Sequence, residues 1–216
     1  MLLVGFDAYG GRGINPAAEI CRSLDGKTVA GTKIRSVVLP VRFDGMIARL
    51  DTLIDQHSPS ALICVGLWPG EAMIRLERFG VNLNDFEIPD NDGAIERGPI
   101  EPEGPTARCA TLPLEQIRET LLAAGIPARL SSSAGNFLCN AILYSALGLL
   151  ERRGAALPCG FIHLPYMPEQ VAGLLTELRD GQSLELHQRA DLASMPLDLS
   201  ARAVRMAIET TLDHGA

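Results

Sequence analysis

The sequence lacks the patterns that mark several broad classes of protein. No apolar run approaches the roughly 18 residues that span a membrane, and the opening residues, MLLVGFDAYGG, have no basic stretch of the kind that begins a secretory signal. The net charge of −7 comes without a basic cluster for nucleic acid. We therefore expect a soluble, cytoplasmic protein that binds neither membranes nor nucleic acids.

Cofactor and metal motifs are also missing. The five cysteines are odd in number and form no CxxC pair, so neither a disulfide framework nor a zinc site is expected. Gly11-Arg12-Gly13 begins like a dinucleotide-binding loop, but Pro16 occupies the position of its third glycine. There is no Walker loop, no HExxH and no GxSxG elbow. We expect no metal and no organic cofactor.

What the chain does contain is an alternation of short apolar runs with helical patterns. Strand-like runs occupy residues 2–5, 34–41, 61–66, 75–83, 126–131 and 158–164, and helical spacing begins near residues 16, 43, 114, 136, 168 and 199. Residues 84–108 form a long irregular stretch. The alternation predicts a single α/β domain over residues 1–216, an α/β/α sandwich with a twisted, largely parallel (mixed) central sheet and helices on both faces.

Cys139 has the most informative position in this pattern. It follows a small, polar segment and Asn136, a good N-cap, which places the thiol in the first turn of an apolar helix. The positive end of the helix dipole favours a thiolate there, as a nucleophilic cysteine requires. The alternative is a buried cysteine that acts only as a small hydrophobic residue.

Few side chains could serve such a thiol as a base. The chain has only four histidines: His57, His163, His187 and His214. Only His163 ends an apolar strand, where the chemistry of a parallel sheet is expected, although a purely structural histidine fits the same position. Glu77, a polar residue in a half-apolar strand, is a candidate to orient the imidazole, or it could pair with Arg75 or Arg78 at the surface.

Four segments in order resemble a known family. They are residues 5–11 (GFDAYGG) with Asn15-Pro16, residues 77–78 (ER) with Asn82 and 88–91 (IPDN), residues 134–140 (AGNFLCN), and residues 160–166 (GFIHLPY) with 168–170 (PEQ). Together they span nearly the whole chain. They are similar to pyroglutamyl peptidase I, the pyrrolidone-carboxylate peptidases of cysteine peptidase family C15.

The resemblance implies a reaction and a role for each residue. Cys139 would be the nucleophile, His163 the general base and acid, and Glu77 the residue that orients His163. The reaction would release an N-terminal pyroglutamyl residue through an acyl-enzyme without a cofactor. The Cys139 N–H is a candidate oxyanion donor. The partners implied are small peptides with a blocked N-terminus and further copies of the chain, as a tetramer or dimer.

The resemblance also suggests which residues contact the substrate. Phe6 and Tyr9 match aromatic positions that pack on the pyrrolidone ring, and Asn15 belongs to the same segment. Leu67 and Trp68 stand where the family usually has a glutamine and small residues.

Two further positions reverse the charge expected in the family, because Glu71 and Glu87 stand where arginines are usual. An anion within ~4–6 Å would raise the pKa of Cys139 by about one unit or more. Arginines that could compensate are Arg42, Arg75, Arg97 and Arg108. The alternatives to ordinary pyroglutamyl peptidase activity are a relative with altered acyl or leaving-group specificity and a relative with a silent triad.

Overall fold

A six-stranded sheet forms the centre of the computed structural model, which describes residues 1–180 and 193–214. Across the sheet its strands are β11 (Ala128–Ser131), β6 (Ile74–Glu77), β12 (Cys159–Leu164), β5 (Leu62–Leu67), β1 (Leu2–Phe6) and β4 (Arg35–Leu39). Strands β12, β5, β1 and β4 are parallel, β6 pairs antiparallel with β12, and β11 pairs parallel with β6. The expected α/β domain with a mostly parallel, mixed sheet is confirmed.

Helices cover both faces of the sheet. One face carries α1 (Pro16–Leu24), α3 (Leu114–Ala123) and α6 (Leu197–His214), and the other carries α2 (Met46–His57) and α4 (Leu138–Arg153). Side chains along β5 alternate between the two faces of the sheet. Ile63 therefore packs in the core beneath α1, α3 and α6, and Cys64 packs in the core beneath α2 and α4. Helix α5 (Pro168–Arg179) packs through Leu174 near the end of β5. No helix in the described ranges is both long and apolar enough to cross a membrane.

The predicted strand over residues 75–83 is two strands. Strand β6 ends at Glu77, and β7 (Phe79–Val81) leaves the main sheet to pair with β10 (Ala107–Cys109). The change of partner occurs at Arg78, whose N–H donates to Ser131 while its carbonyl accepts from Ala110. The remaining short pairs are β2 (Thr28–Val29) with β3 (Thr32–Lys33) and β8 (Asn84–Asp85) with β9 (Arg97–Gly98).

Helix α4 begins later than the sequence predicted. Its N-cap is Phe137 in an extended conformation, with no side-chain hydrogen bond to the helix. The prediction of Asn136 as the cap was wrong, because its side chain turns away and donates to Glu87 Oε1 at 3.4 Å. Cys139 nevertheless lies in the first turn, as expected. His187 lies outside the described residues.

Candidate active site

The imidazole of His163 and the carboxylate of Glu77 meet because of the register between β12 and β6. This register places His163 opposite Arg75 and Phe161 opposite Glu77. Residues two apart share a face of a sheet, so all four side chains project to the same side. Glu77 thus lies diagonally from His163, and its Oε1 accepts a hydrogen bond from Nδ1 at 2.8 Å. This bond leaves Nε2 of His163 available as the base.

Helix α4 brings Cys139 over the same face of the sheet. A Cβ atom built on Gly66 would lie 2.9 Å from the Cys139 sulfur, and Gly66 is the register partner of His163 in β5. The thiol therefore lies above the strand position beside the imidazole. Residue 66 must be glycine for the sulfur to occupy this place, because real Cβ contacts essentially never come this close.

The first turn of α4 is anchored to β7. The buried Asn140 side chain accepts a hydrogen bond from the Val81 N–H at 2.8 Å and donates to the carbonyls of Val81 and Leu83 at 2.9 and 3.0 Å. Gly80 brings the β7 backbone against the helix, since a Cβ there would lie 2.6 Å from the Tyr144 nitrogen. These contacts fix the residue next to Cys139 in place.

Burial controls the protonation of the candidate nucleophile and base. Burial first, and the charge of Glu77 second, raise the pKa of the Cys139 thiol to about 12. Burial lowers the pKa of His163, and the hydrogen bond that its ring donates to Glu77 opposes that change. Both shifts favour the uncharged form, a thiol at Cys139 and a neutral imidazole at His163. The N–H of Cys139 at the start of α4 lowers this pKa, in the direction that the helix position predicted, but desolvation raises it by more.

The charge of Glu71 is compensated by two arginines. Its carboxylate is buried and lies 2.5 Å from Arg129 and 3.4 Å from Arg75. Although burial opposes the change, hydrogen bonds from Arg129 and Ala72 hold the pKa of Glu71 below its usual range. Glu71 does not line the cavity described below.

Among the arginines proposed to compensate, only Arg75 serves this role. Arg42 pairs with Asp92, Arg97 with Asp85, and Arg108 with Glu101 and Glu151. Arg129 was not foreseen, because only the pairing of β11 with β6 brings it beside Arg75.

A cavity of about 240 Å³ opens at Cys139 and His163. Its other walls come from Tyr9, Leu67, Trp68, Pro69, Glu87, Ile88, Ala134, Gly135, Asn136 and Phe137. The walls are mainly apolar and aromatic, and Glu87 is the only acidic or basic side chain besides His163 among the described residues that line them. The cavity can thus hold a flat, uncharged group beside the thiol.

The predicted substrate contacts separate into two groups. Tyr9, Leu67, Trp68 and Glu87 line the cavity. Phe6 does not, because it is buried in the core that α4 and β1 share. Asn15 instead caps α1: its side chain accepts from the Ala17 N–H at 3.0 Å and donates to the Asp7 carbonyl at 2.9 Å.

Six of the described lining residues were not predicted as substrate contacts: Pro69, Ile88, Ala134, Gly135, Asn136 and Phe137. All except Pro69 fall inside the segments that carry the family resemblance, which is the signal that could have identified them. A larger cavity, of about 450 Å³, lies near the far end of α4 beside Cys109 and Leu157 and includes none of the three predicted catalytic residues. Within residues 1–180 and 193–214, no cluster of three His, Cys, Asp or Glu side chains could hold a metal ion.

Comparison with known proteins places this chain in a family. The family model described as pyroglutamyl peptidase matches residues 1–214. The pyrrolidone-carboxylate peptidase of Pyrococcus furiosus is 38% identical over 215 residues, which cover 99% of this chain and 98% of that protein. The pyrrolidone-carboxylate peptidase of Gloeobacter violaceus is 38% identical over 213 residues, 97% of this chain and 95% of that one.

A solved structure supports the same assignment. One mutant pyrrolidone carboxyl peptidase from Pyrococcus furiosus has a TM-score of 0.90 at 38% sequence identity and covers 100% of this chain and 99% of its own. Sequence and fold thus agree over the full length, and the chain belongs to the pyroglutamyl peptidase family.

Proposed function

We propose that this protein is a cysteine peptidase that removes an N-terminal pyroglutamyl residue from peptides, with Cys139 as nucleophile, His163 as base and Glu77 as its orienting group. The observation that carries the proposal is the placement of Cys139 and the Glu77-bonded His163 on one cavity. The family of the chain supplies the reaction class.

The first half of the reaction forms an acyl-enzyme. Nε2 of His163 takes the thiol proton as the Cys139 sulfur attacks the carbonyl carbon of the pyroglutamyl residue. The Cys139 N–H, at the start of α4, donates to the developing oxyanion. The C–N bond then breaks, and His163 returns the proton to the leaving amine, which leaves a thioester on Cys139.

Water completes the cycle. His163 accepts a proton from a water molecule as the water oxygen attacks the thioester carbonyl. The same proton then returns to the Cys139 sulfur as pyroglutamate leaves. In both halves the imidazolium forms in a buried site where a charge without a partner is costly. The carboxylate of Glu77, 2.8 Å from Nδ1, offsets that cost and keeps the ring in one orientation.

The walls of the cavity suit an uncharged acyl group. Tyr9, Trp68 and Phe137 offer aromatic surface beside Cys139. A pyroglutamyl ring is flat and carries no ammonium group, so it enters such a site with a small desolvation cost. The charged N-terminus of an ordinary peptide would lose far more hydration there.

Glu87 favours a second candidate, in which the same triad prefers substrates with a cationic leaving group. Its exposed carboxylate lies at the cavity and forms no ion pair within the described part of the chain. A positive side chain on the residue after pyroglutamate would complement that charge. The preference between cationic and anionic leaving groups distinguishes the two candidates.

Hydrolysis of a fluorogenic pyroglutamyl amide tests the primary proposal. Wild-type protein should release the fluorophore, and Cys139→Ser should lose at least about 10³-fold in kcat/KM. The matching prolyl and glutamyl amides, which lack the lactam carbonyl or carry a charged amine, should be cleaved poorly. Folded wild-type protein that cleaves no pyroglutamyl amide or peptide would instead be a silent member of the family.

We also infer that the protein works as a homo-oligomer in the cytoplasm. All five cysteines are free, which suits a reducing compartment. The resemblance to tetrameric or dimeric relatives supports the oligomer. Light scattering on the purified protein, together with cell fractionation, tests both statements: a monomer or an exported protein would contradict them.

A further inference from the structure

We propose that Arg75 is a positioning residue for this reaction: one buried guanidinium holds Glu77, the Trp68 wall of the cavity and the turn before Cys139 in a fixed relation. The inference rests on the proposed triad, since Arg75 acts through Glu77 and His163 and does not line the cavity itself.

Arg75 contacts the triad through the oxygen that His163 uses. Its Nε donates to Glu77 Oε1 at 3.0 Å, and the same oxygen accepts from His163 Nδ1 at 2.8 Å. The carboxylate is thus held from two directions. Because Glu77 is fully buried, removal of Arg75 would take away one of the two hydrogen-bond donors of its Oε1 in a place shielded from solvent.

The other end of the guanidinium holds the segment that leads to Cys139. Nη2 donates to the Ser131 hydroxyl at 2.7 Å and to the Ser133 carbonyl at 2.8 Å. Residues 131–133 connect β11 to the turn before α4. The Arg75 side chain therefore links β6, which carries Glu77, to the segment that leads to Cys139.

The flat face of Arg75 supports the cavity wall. Its guanidinium carbon lies 3.7 Å from the centre of a Trp68 ring, and the edge-to-face contact between Trp68 and His163 has a centroid distance of 4.9 Å. Only arginine offers a planar cation with a rigid fork of donors, so lysine cannot make this set of contacts. The residue combines stacking with directed hydrogen bonds.

Arg75 also contributes charge near the base. Among the described residues, the charged or titratable groups around His163 are Glu77 and Arg75 from β6, Glu71 from the loop before β6 with its partner Arg129 from β11, Cys139 from α4, and Tyr9 and Glu87 at the cavity. A cation disfavours the protonated imidazole, whereas Glu77 and Glu71 favour it. Loss of Arg75 should therefore raise the pKa of His163.

The test measures kcat, KM and the pH dependence of kcat/KM for three variants. Arg75→Gln should lower kcat by roughly ten- to a hundredfold, with a smaller effect on KM. It should also move the acidic limb of kcat/KM upward by about 0.5–1 pH unit, because His163 must be neutral to accept the thiol proton.

Arg75→Lys keeps the positive charge but loses the planar set of hydrogen-bond donors. We therefore expect kcat to fall while the acidic limb of the kcat/KM profile stays near that of wild type. The double variant Glu71→Gln/Arg75→Gln removes one charge of each sign. The acidic limb of its kcat/KM profile should return toward that of wild type while kcat stays low. This result would separate the effect of the Arg75 charge on His163 from its effect on the placement of Glu77 and Trp68.

Arg108→Gln is the matched control. Arg108 is also buried, pairs with Glu101 and Glu151 at 2.7 Å each, and lies 4.1 Å from the centre of the Tyr144 ring. It packs against Gly148, nine residues or about 13 Å along α4 from Cys139. Arg108→Gln should lower the thermal midpoint to a similar extent and leave the acidic limb in place.

The outcomes are distinct. Folded Arg75→Gln with kcat within about twofold of wild type and an unmoved limb would overturn the inference. If Arg75→Gln does not fold, the same measurements of kcat and of the acidic limb on Arg75→Lys and on Glu71→Gln/Arg75→Gln test the inference. If wild type does not hydrolyse pyroglutamyl substrates, or Cys139→Ser stays active, the proposed function itself fails.

Discussion

Glu77 accepts a hydrogen bond from His163 across the strand pair in which β6 runs antiparallel to β12. The carboxyl end of β6 points toward the amino half of β12, so Glu77 lies opposite Phe161 and reaches back to Nδ1 of His163 at 2.8 Å. Nδ1 is thus occupied by Glu77, and His163 lines the same cavity as Cys139. A buried carboxylate at this place can orient the ring without contacting the substrate.

Replacement of Glu77 by glutamine tests that role. Glu77→Gln keeps the shape and removes the charge, so kcat/KM should fall by roughly 10²–10⁴-fold. Because Glu77 favours the imidazolium, its loss lowers the pKa of His163 further, and the residual acidic limb should move to lower pH. This is the opposite direction from that expected for Arg75→Gln. Activity within a few-fold of wild type would exclude the role.

Gly66 provides a steric test of where the nucleophile lies. A Cβ at residue 66 would come 2.9 Å from the Cys139 sulfur and 2.7 Å from the Phe161 ring, so Gly66→Ala should displace one of them. We expect a loss of at least about tenfold in kcat/KM. Gly173→Ala, in the middle of α5 with open space around its Cβ, is the matched substitution and should leave kcat/KM unchanged. If Gly66→Ala and Gly173→Ala have the same kcat/KM, the Cys139 thiol does not lie against residue 66.

Iodoacetamide labelling tests whether His163 activates Cys139. Cys109 is exposed and will label by itself, so the comparison uses a Cys109→Ser background. The pKa of the Cys139 thiol is raised to about 12 by burial and by Glu77, so it should react at neutral pH only with help from His163. His163→Ala should slow alkylation of Cys139 by at least about tenfold. Peptide mapping reports the site, and an unchanged rate would contradict the pairing.

Asn140 should matter for stability first and for catalysis second. Asn140→Ala leaves the Val81 N–H and the Val81 and Leu83 carbonyls without their partner at the start of α4. The free energy of unfolding should fall by on the order of 2–4 kcal/mol. Denaturant titration measures it, and the activity of the remaining folded fraction should also decrease. A loss below about 0.5 kcal/mol would show that these hydrogen bonds do not anchor the helix.

The charge of Glu87 predicts a ranking of substrates. Peptides with arginine or lysine after pyroglutamate should have higher kcat/KM than those with glutamate, and Glu87→Gln should reduce the ratio by about three- to tenfold at low salt. Glu103→Gln, an exposed carboxylate elsewhere on the surface, serves as the control. A ratio that Glu87→Gln does not change would leave the ordinary, non-selective peptidase as the better description.

Much of the fold was predictable because its signals are local. The continuous apolar run before Gly66 and the apolar spacing after Cys139 reflect burial that β5 and α4 do have. The mixed sheet, the helices on both faces and the position of Cys139 in a first turn follow from such patterns. Family resemblance then joined Cys139, His163 and Glu77, which no local pattern could connect.

The remainder depends on contacts between distant segments. The reversal of β6 relative to β12, which brings Arg75 opposite His163, leaves no trace in the spacing of apolar residues. The same holds for Arg129, which neutralises Glu71 only because β11 pairs with β6. The pKa of the Cys139 thiol likewise depends chiefly on burial, which only the tertiary structure creates.

The most direct test of the account is detection of the acyl-enzyme. Wild-type protein mixed with excess pyroglutamyl amide and quenched in acid should carry one pyroglutamyl group as a thioester, mapped by mass spectrometry to the peptide that contains Cys139. The group should be absent from Cys139→Ser and should form much more slowly in His163→Ala. Turnover with no adduct on Cys139, or an adduct on another residue, would contradict the central claim.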